Sequence, residues 1–311
     1  MTNRHQSFES KAACQVNISG PPRLGVHVSS AGGWARALAR AAALASDALQ
    51  LFTQPPQRWA APPWSAQDAA AFVAGRAEHG IAFACGHEIY LANLASEDVA
   101  LRARSRAYLE EELRRARALG LEGVVIHPGR IGDGLRDEGL GRYADELTVV
   151  LAAVPAVRVF LETTPGARGQ LGGTLEELAA LRDRIPAPLH RRVGYCVDTC
   201  HLFVAGYDLV RDFDGVLARI GDVLGWEHVA LLHLNDARDP CGSRRDRHAH
   251  LGEGALGPDV FRRLLADDRT AWRPKILETP KGKDDALDRH NLARVRRWWA
   301  EVRGTLTERS E

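Results

Sequence analysis

The chain has 311 residues, 45% of them hydrophobic and 26% charged, with 41 basic against 40 acidic residues and a formal net charge of +1. An ordinary apolar fraction excludes wholesale disorder, and the charge balance excludes a protein that grips nucleic acid through a uniformly basic surface. No run of about 18 apolar residues is present, which excludes a transmembrane helix.

The first 22 residues are polar and lack the apolar centre of a secretory signal, so they read as a tail. From there, short β-rich apolar runs alternate with helix-like stretches. Strands are expected at 24–28, 48–52, 81–85, 123–127, 157–161, 193–197, 229–234 and 275–277. Helices are expected at 34–45, 65–79, 97–119, 140–153, 174–184, 210–224, 258–267 and 286–303. Thr174 followed by Glu177 is a capping box at the start of the fifth helix. Eight strands alternating with eight helices predict a single-domain (β/α)8 TIM barrel over 23–303, with a C-terminal tail at 304–311. A doubly wound sheet is the competitor, but no glycine fingerprint follows the first strand. The five cysteines are odd in number and scattered, which predicts reduced thiols in a cytoplasm.

The twelve histidines matter through their placement. His87 lies just past the third strand, and His127 ends the fourth. Glu162, Asp198, His233 and Glu278 stand at the ends of the fifth to eighth strands. His201 follows Asp198 by three residues, and Asp246 and His248 sit in the long loop after strand seven. All nine belong to the C-terminal rim, where barrels of this kind carry their chemistry. One strand-end histidine is most simply a hydrogen-bonded rim residue. A cluster of histidines and carboxylates with almost no compensating Lys or Arg is different, because gathered carboxylates are costly unless a cation neutralises them.

A mixed His/Asp/Glu set without obligatory thiolates suits zinc or manganese. Nine ligands exceed the need of one ion, so two or three ions with a bridging carboxylate are expected. Clustered ions point to phosphate-ester hydrolysis. Cys196 and Cys200 flank Asp198 but read as packing residues. His27, at the end of strand one, faces the site and reads as an orienting residue. His250 has no evident partner in the sequence.

The strings GVHVSSAGG (25–33), IHPG (126–129), GYCVDTCHLFVAGYD (194–208), HLNDAR (233–238), GSRRDRHAHLGEG (242–254) and LET (277–279) resemble endonuclease IV. This is the zinc-dependent apurinic/apyrimidinic endonuclease family, AP endonuclease family 2. The resemblance runs from about Leu24 to Arg297. It implies a barrel holding three Zn2+ ions, with Mn2+ in some positions. His87, His127 and Glu162 would hold one ion. Glu162 would bridge to a second, also held by Asp198, His233 and Glu278. The third would sit on His201, Asp246 and His248. A bridging hydroxide, oriented by Glu278, would attack the phosphodiester 5′ to an abasic site, leaving a 3′-hydroxyl and a 5′-deoxyribose phosphate; blocked 3′ ends would also be trimmed.

The implied partner is double-stranded DNA with abasic sites or blocked 3′ ends, met by a monomeric cytoplasmic enzyme associated with the nucleoid. Tyr90 and Leu91 match the family's inserted aromatic–aliphatic pair. After strand two the family has Asn-x-Arg-x-Trp, whereas this chain has Pro55-Pro56-Gln57-Arg58-Trp59. Arg58 therefore sits one place beyond the usual arginine, and Gln57 occupies that position. Thr163 and Pro165 replace the commoner Asn and Ala after the fifth-strand glutamate. Arg247, beside Arg244 and Arg245, is a further expected DNA contact. Two other readings stay open. One is a xylose-isomerase-like sugar isomerase or epimerase with a single metal on Glu162, Asp198, His233 and Glu278. The other is a lesion-binding protein without catalysis.

Overall fold

Eight strands pair in parallel and close on themselves: β1 (Leu24–Val28), β2 (Ala48–Leu51), β3 (Phe83–His87), β4 (Gly123–Ile126), β5 (Val159–Glu162), β6 (Val193–Asp198), β7 (Val229–His233) and, after a short hairpin of β8 (Asp236–Ala237) and β9 (His248–Ala249), β10 (Lys275–Leu277). β1 pairs with β10 as well as with β2, which completes the barrel. The computed structural model describes residues 22–60, 62–132 and 134–308. All but Pro22 of the expected N-terminal tail, and residues 309–311, lie outside the described residues. Among the described residues, no helix is long and apolar enough to cross a membrane.

The helices are α1 (Trp34–Ala43), α2 (Ala66–Glu78), α3 (Val99–Ala118), α4 (Arg136–Ala153), α5 (Leu175–Arg184), α6 (Thr199–Ala205), α7 (Phe213–Leu224), α8 (Gly257–Ala266) and α9 (Ala286–Glu308). They bury leucine- and valine-rich faces against the outside of the barrel, as Leu109, Leu113 and Ala116 do on α3. The Thr174 hydroxyl caps α5 by accepting from Glu177 N at 3.2 Å.

Inside the barrel lies a separate apolar plug made of Ala48, Phe83, Cys85, Val125, Phe160, Cys196, Leu231 and Ile276. β1 contributes Gly25 at this level, where a Cβ would stand 1.7 Å from the Ala48 carbonyl oxygen. At the N-terminal end, the buried Lys275 ammonium donates to the carbonyls of Thr270, Ala271 and Arg273 at 2.8–2.9 Å.

Several boundaries differ from expectation, each for a local reason. β3 begins at Phe83, not at 81, because Gly80 turns the chain at positive φ and Ile81 N closes the end of α2 on the Arg76 carbonyl. His87 is thus the last residue of β3 and not beyond it. β5 begins at Val159, since Arg192 Nε takes the Val157 carbonyl at 2.8 Å. α4 starts earlier, at Arg136, with Asp137 and Glu138 in a first turn that favours negative charge. α7 starts later, where the Asp212 side chain accepts from Gly215 N. α9 continues to Glu308, past the expected tail boundary at 304, because no proline interrupts it.

Candidate metal centre at the barrel mouth

Side chains alternate along a strand, so the residue two beyond each plug position also points into the barrel. From β1 to β10 this second inward level reads His27, Gln50, His87, His127, Glu162, Asp198, His233 and Glu278. Apolar packing below and polar convergence above arise from the same two-residue period. α6 begins immediately after Asp198, whose carboxylate caps it by accepting from His201 N at 2.9 Å. That cap turns His201 back over the mouth. Gly206, at φ 119°, ends the helix.

The β8–β9 hairpin supplies the remaining two groups. Asp236 accepts from the main-chain amides of Ala237, Gly252, Gly254 and Leu256 at 2.8–3.0 Å, which pins both ends of the excursion. Asp246 and His248 are thereby brought opposite His201, with His201 Nε2 and His248 Nε2 each 3.2 Å from Asp246 Oδ1. Neither nitrogen has a hydrogen-bond partner of acceptable geometry, although both are buried.

The nine side chains fall into three groups whose donor atoms lie within 4.8 Å of one another: His87, His127 and Glu162; Glu162, Asp198, His233 and Glu278; and His201, Asp246 and His248. Glu162 is fully buried and belongs to two of them. Its Oε2 is 3.3 Å from His87 Nε2 and 3.2 Å from His127 Nε2, while its Oε1 is 2.9 Å from His233 Nδ1. His233 Nδ1 is also 3.3 Å from Glu278 Oε2 and 3.8 Å from Asp198 Oδ2. Two donors bound at about 2.05 Å to a tetrahedral ion stand roughly 3.3 Å apart. Most of these spacings match donors sharing an ion.

The far ring nitrogens decide which near ones are free. His87 Nδ1 lies 2.8 Å from the Glu88 carbonyl, His201 Nδ1 2.8 Å from that of Thr163, and His248 Nδ1 2.9 Å from that of Glu278. Each Nδ1 must donate to a carbonyl, so Nε2 is the atom turned toward the carboxylates. Burial opposes charge on these rings, but the neighbouring carboxylates outweigh it and raise all three, so Nε2 is where a proton or an ion would sit. His233 is reversed: its Nε2 meets Gln50 Oε1 at 2.9 Å and its Nδ1 faces inward. Burial lowers His127 to about 4. Burial opposes ionisation of Glu162 and Glu278, but the surrounding histidines, His233 foremost, together outweigh it and hold these carboxyls well below their usual range.

Cys196 packs in the apolar plug, as expected. Burial pushes its thiol up to about 12 and also raises Cys200, and each lies near carboxylate and histidine donors. His27 Nδ1 is 3.2 Å from Glu278 Oε1, the orienting contact its position suggested. His250 does have a partner: Asn291 Nδ2 is 3.0 Å from its Nδ1.

Three supports escaped the sequence reading. Gln50 joins Glu278 to His233. Asn235 donates to Asp198 Oδ2 at 2.6 Å and accepts from Glu278 N at 2.8 Å. Glu88 accepts from His127 N at 2.5 Å. Thr163 also serves here, its hydroxyl accepting from Asp198 N at 2.9 Å. The alternation rule applied to β2 marks Gln50 directly. No spacing marks Asn235 or Glu88.

The mouth continues into a cleft of about 990 Å³, lined in part by His27, Trp34, Phe52, Trp64, Tyr90 and Glu278. Tyr90 is 73% exposed and Leu91 38%, so the Tyr90 ring stands largely in solvent and Leu91 is partly covered. Arg58 is exposed on the loop after β2. Arg247, its side chain 54% exposed, has its guanidinium engaged by Asp239 within its own loop.

A family model described as "Xylose isomerase-like TIM barrel" matches residues 38–302. A protein of Chloroflexus aggregans named "Probable endonuclease 4" is 42% identical over 280 residues, covering 88% of this chain and 97% of that protein. The chain belongs to the endonuclease IV family. A Halorhodospira halophila member, also named "Probable endonuclease 4", is 41% identical over 268 residues, covering 85% of this chain and 90% of its own length. The crystal structure of endonuclease IV from Thermus thermophilus superposes with a TM-score of 0.81 at 36% identity, covering 90% of this chain and all of that one. An L-ribulose 3-epimerase structure shares the barrel alone, at TM-score 0.66 and 18% identity.

Proposed function

We propose that this endonuclease IV family member hydrolyses the phosphodiester 5′ to abasic sites in double-stranded DNA, leaving a 3′-hydroxyl and a 5′-deoxyribose phosphate, and trims blocked 3′ ends. The observation that carries the proposal is Glu162, whose two oxygens face two different donor groups while a third group stands beside them. His87, His127 and Glu162 would hold one Zn2+; Glu162, Asp198, His233 and Glu278 a second; His201, Asp246 and His248 a third, with Mn2+ acceptable at oxygen-rich positions. Bound together, such ions activate a water and stabilise charge on the attacking and leaving oxygens.

The protein's own contribution is placement. Glu278 has one oxygen tied to Gln50 and His27, and the side chain borders the open cleft. It is therefore the carboxylate positioned to orient an incoming water and accept its proton. Glu162, dry and held from both sides, keeps two donor groups in register. Tyr90, Leu91 and Arg58 form the exposed edge offered to a distorted duplex. Arg247 supports this edge mainly by shaping its loop.

The test is incubation with duplex DNA carrying one tetrahydrofuran abasic analogue, scored before and after prolonged chelation. Incision 5′ to the analogue, lost on chelation, is the expected result. Failure to incise under any metal condition would sink the reading. Metal analysis should find more than one zinc or manganese per chain. The group Glu162, Asp198, His233 and Glu278 is also the donor set a sugar isomerase would use; a stoichiometry of one with no incision would favour that activity.

A further inference from the structure

We infer that Gln50 is a positioning residue that sets both the tautomer of His233 and the rotamer of Glu278, so that the central donor group depends on a single carboxamide. The inference rests on the reading of this cluster as a metal centre. Gln50 is fully buried on β2, at the same inward level as the donors. Its Nε2 is 2.6 Å from Glu278 Oε1 and 3.0 Å from His27 Nδ1. Its Oε1 is 2.9 Å from His233 Nε2 and 3.4 Å from the Cys85 thiol, which donates to it. Both ends of the carboxamide are thereby engaged, the NH2 group toward Glu278 and His27 and the carbonyl oxygen toward His233 and Cys85.

The orientation of the amide follows from the chemistry of its neighbours. An ionised Glu278 only accepts, so the atom 2.6 Å from it must be the NH2 group. That places the carbonyl oxygen against His233 Nε2, which must then carry the proton. His233 consequently turns Nδ1 toward Glu162, Asp198 and Glu278, as the nitrogen left to bind an ion. His87, His201 and His248 owe their tautomers to backbone carbonyls, which no side-chain substitution removes. In His233 the same function falls to a side chain. From β2 the carboxamide reaches past β1 to Glu278 at the end of β10 and to His233 at the end of β7, so that one group fixes two donors of one set.

The experiment compares wild type, Gln50→Met and Gln50→Glu, each loaded with zinc. Gln50→Met keeps the length and removes every hydrogen bond. It is expected to lose zinc to EDTA about 10–100-fold faster, to lose the protonated-Nε2 signature of His233 in long-range 1H–15N spectra, and to show a lower kcat with KM for abasic DNA nearly unchanged. Gln50→Glu keeps an acceptor for His233 but sets a carboxylate against Glu278. It should recover the His233 signature without recovering kcat. Zinc loss within twofold of wild type and an unchanged His233 tautomer in Gln50→Met would overturn the inference. Should that variant not fold, wild-type zinc retention and kcat in Gln50→Glu would overturn it. Zinc retention needs no DNA. A protein that leaves abasic DNA intact yet shows the Gln50 dependence would defeat the proposed activity and leave this inference standing.

Discussion

Arg247 forks onto Asp239, with Nε 2.7 Å from Oδ2 and Nη2 2.6 Å from Oδ1. The pair clasps the neck of the loop that carries Asp246, just below the point where Arg238 N donates to the Arg247 carbonyl. Planar two-point pairing fixes direction as well as distance. The clasp therefore holds Asp246, the most exposed of the nine donors, against His201 and His248.

Loss of the clasp should loosen that outer group before the inner ones. In Asp239→Ala, brief chelation is expected to remove about one ion more per chain than in wild type, with turnover down about 10–100-fold. Elemental analysis after timed exposure to EDTA measures this. Identical metal content in the two proteins would show that the loop holds Asp246 without the pair.

Glu278→Gln preserves size and hydrogen-bonding capacity but removes the charge that would receive a proton. Turnover on abasic DNA should fall by about 10²–10⁴, the range typical of a lost general base. Thermal stability and DNA binding should stay near wild type. Single-turnover incision at saturating enzyme isolates the chemical step, and a near-normal rate there would refute the role given to Glu278.

Tyr90 projects from the loop after β3 with its ring 5.8 Å from that of Phe52. Since most of the ring is in solvent, Tyr90→Ala should leave the melting temperature unchanged. A stacking contact with a base is worth about 1–3 kcal/mol, so affinity for abasic duplex should drop about tenfold. Fluorescence anisotropy with abasic and intact duplexes reads the difference. Equal binding by both proteins would remove Tyr90 from the DNA surface.

Lys275 gives a pH prediction at the opposite end of the barrel. Burial lowers its ammonium to about 7, against about 10.4 for an unperturbed lysine. The unfolded chain thus binds more protons than the folded one between these values. Stability from this group is complete above about pH 10.4 and is lost as pH falls through about 7, with a full span on the order of a few kcal/mol. Wild type should gain melting temperature from pH 6 to 9 relative to Lys275→Met. The variant will be less stable overall, because three carbonyls lose their donor. Parallel pH profiles for the two proteins would contradict the lowered lysine.

Much of the site was legible in one dimension because covalent spacing determines which face of a strand a residue occupies. Cys85 and His87, Phe160 and Glu162, or Ile276 and Glu278 alternate at the period of a strand, so plug and donor positions follow from the sequence once the strands are placed. The eight-fold alternation likewise carried the barrel. Its strand ends slipped by two residues where Gly80 turned the chain or Arg192 captured a carbonyl, events that depend on backbone conformation and distant partners.

Spacing alone could not tell which atoms meet across the barrel. Gln50 is 183 residues from His233 and 228 from Glu278, and it reaches both only because the barrel closes. Asn235, Glu88 and the Arg247–Asp239 clasp have the same character: their roles lie in direction and partner, which hydrogen bonding assigns after the strands have packed. The sequence alone determined the fold and the inward level of the donors, because both follow from periodicity. The tertiary structure decided which nitrogen of each histidine faces the carboxylates, because a tautomer is set by a neighbour that only closure brings within 3 Å.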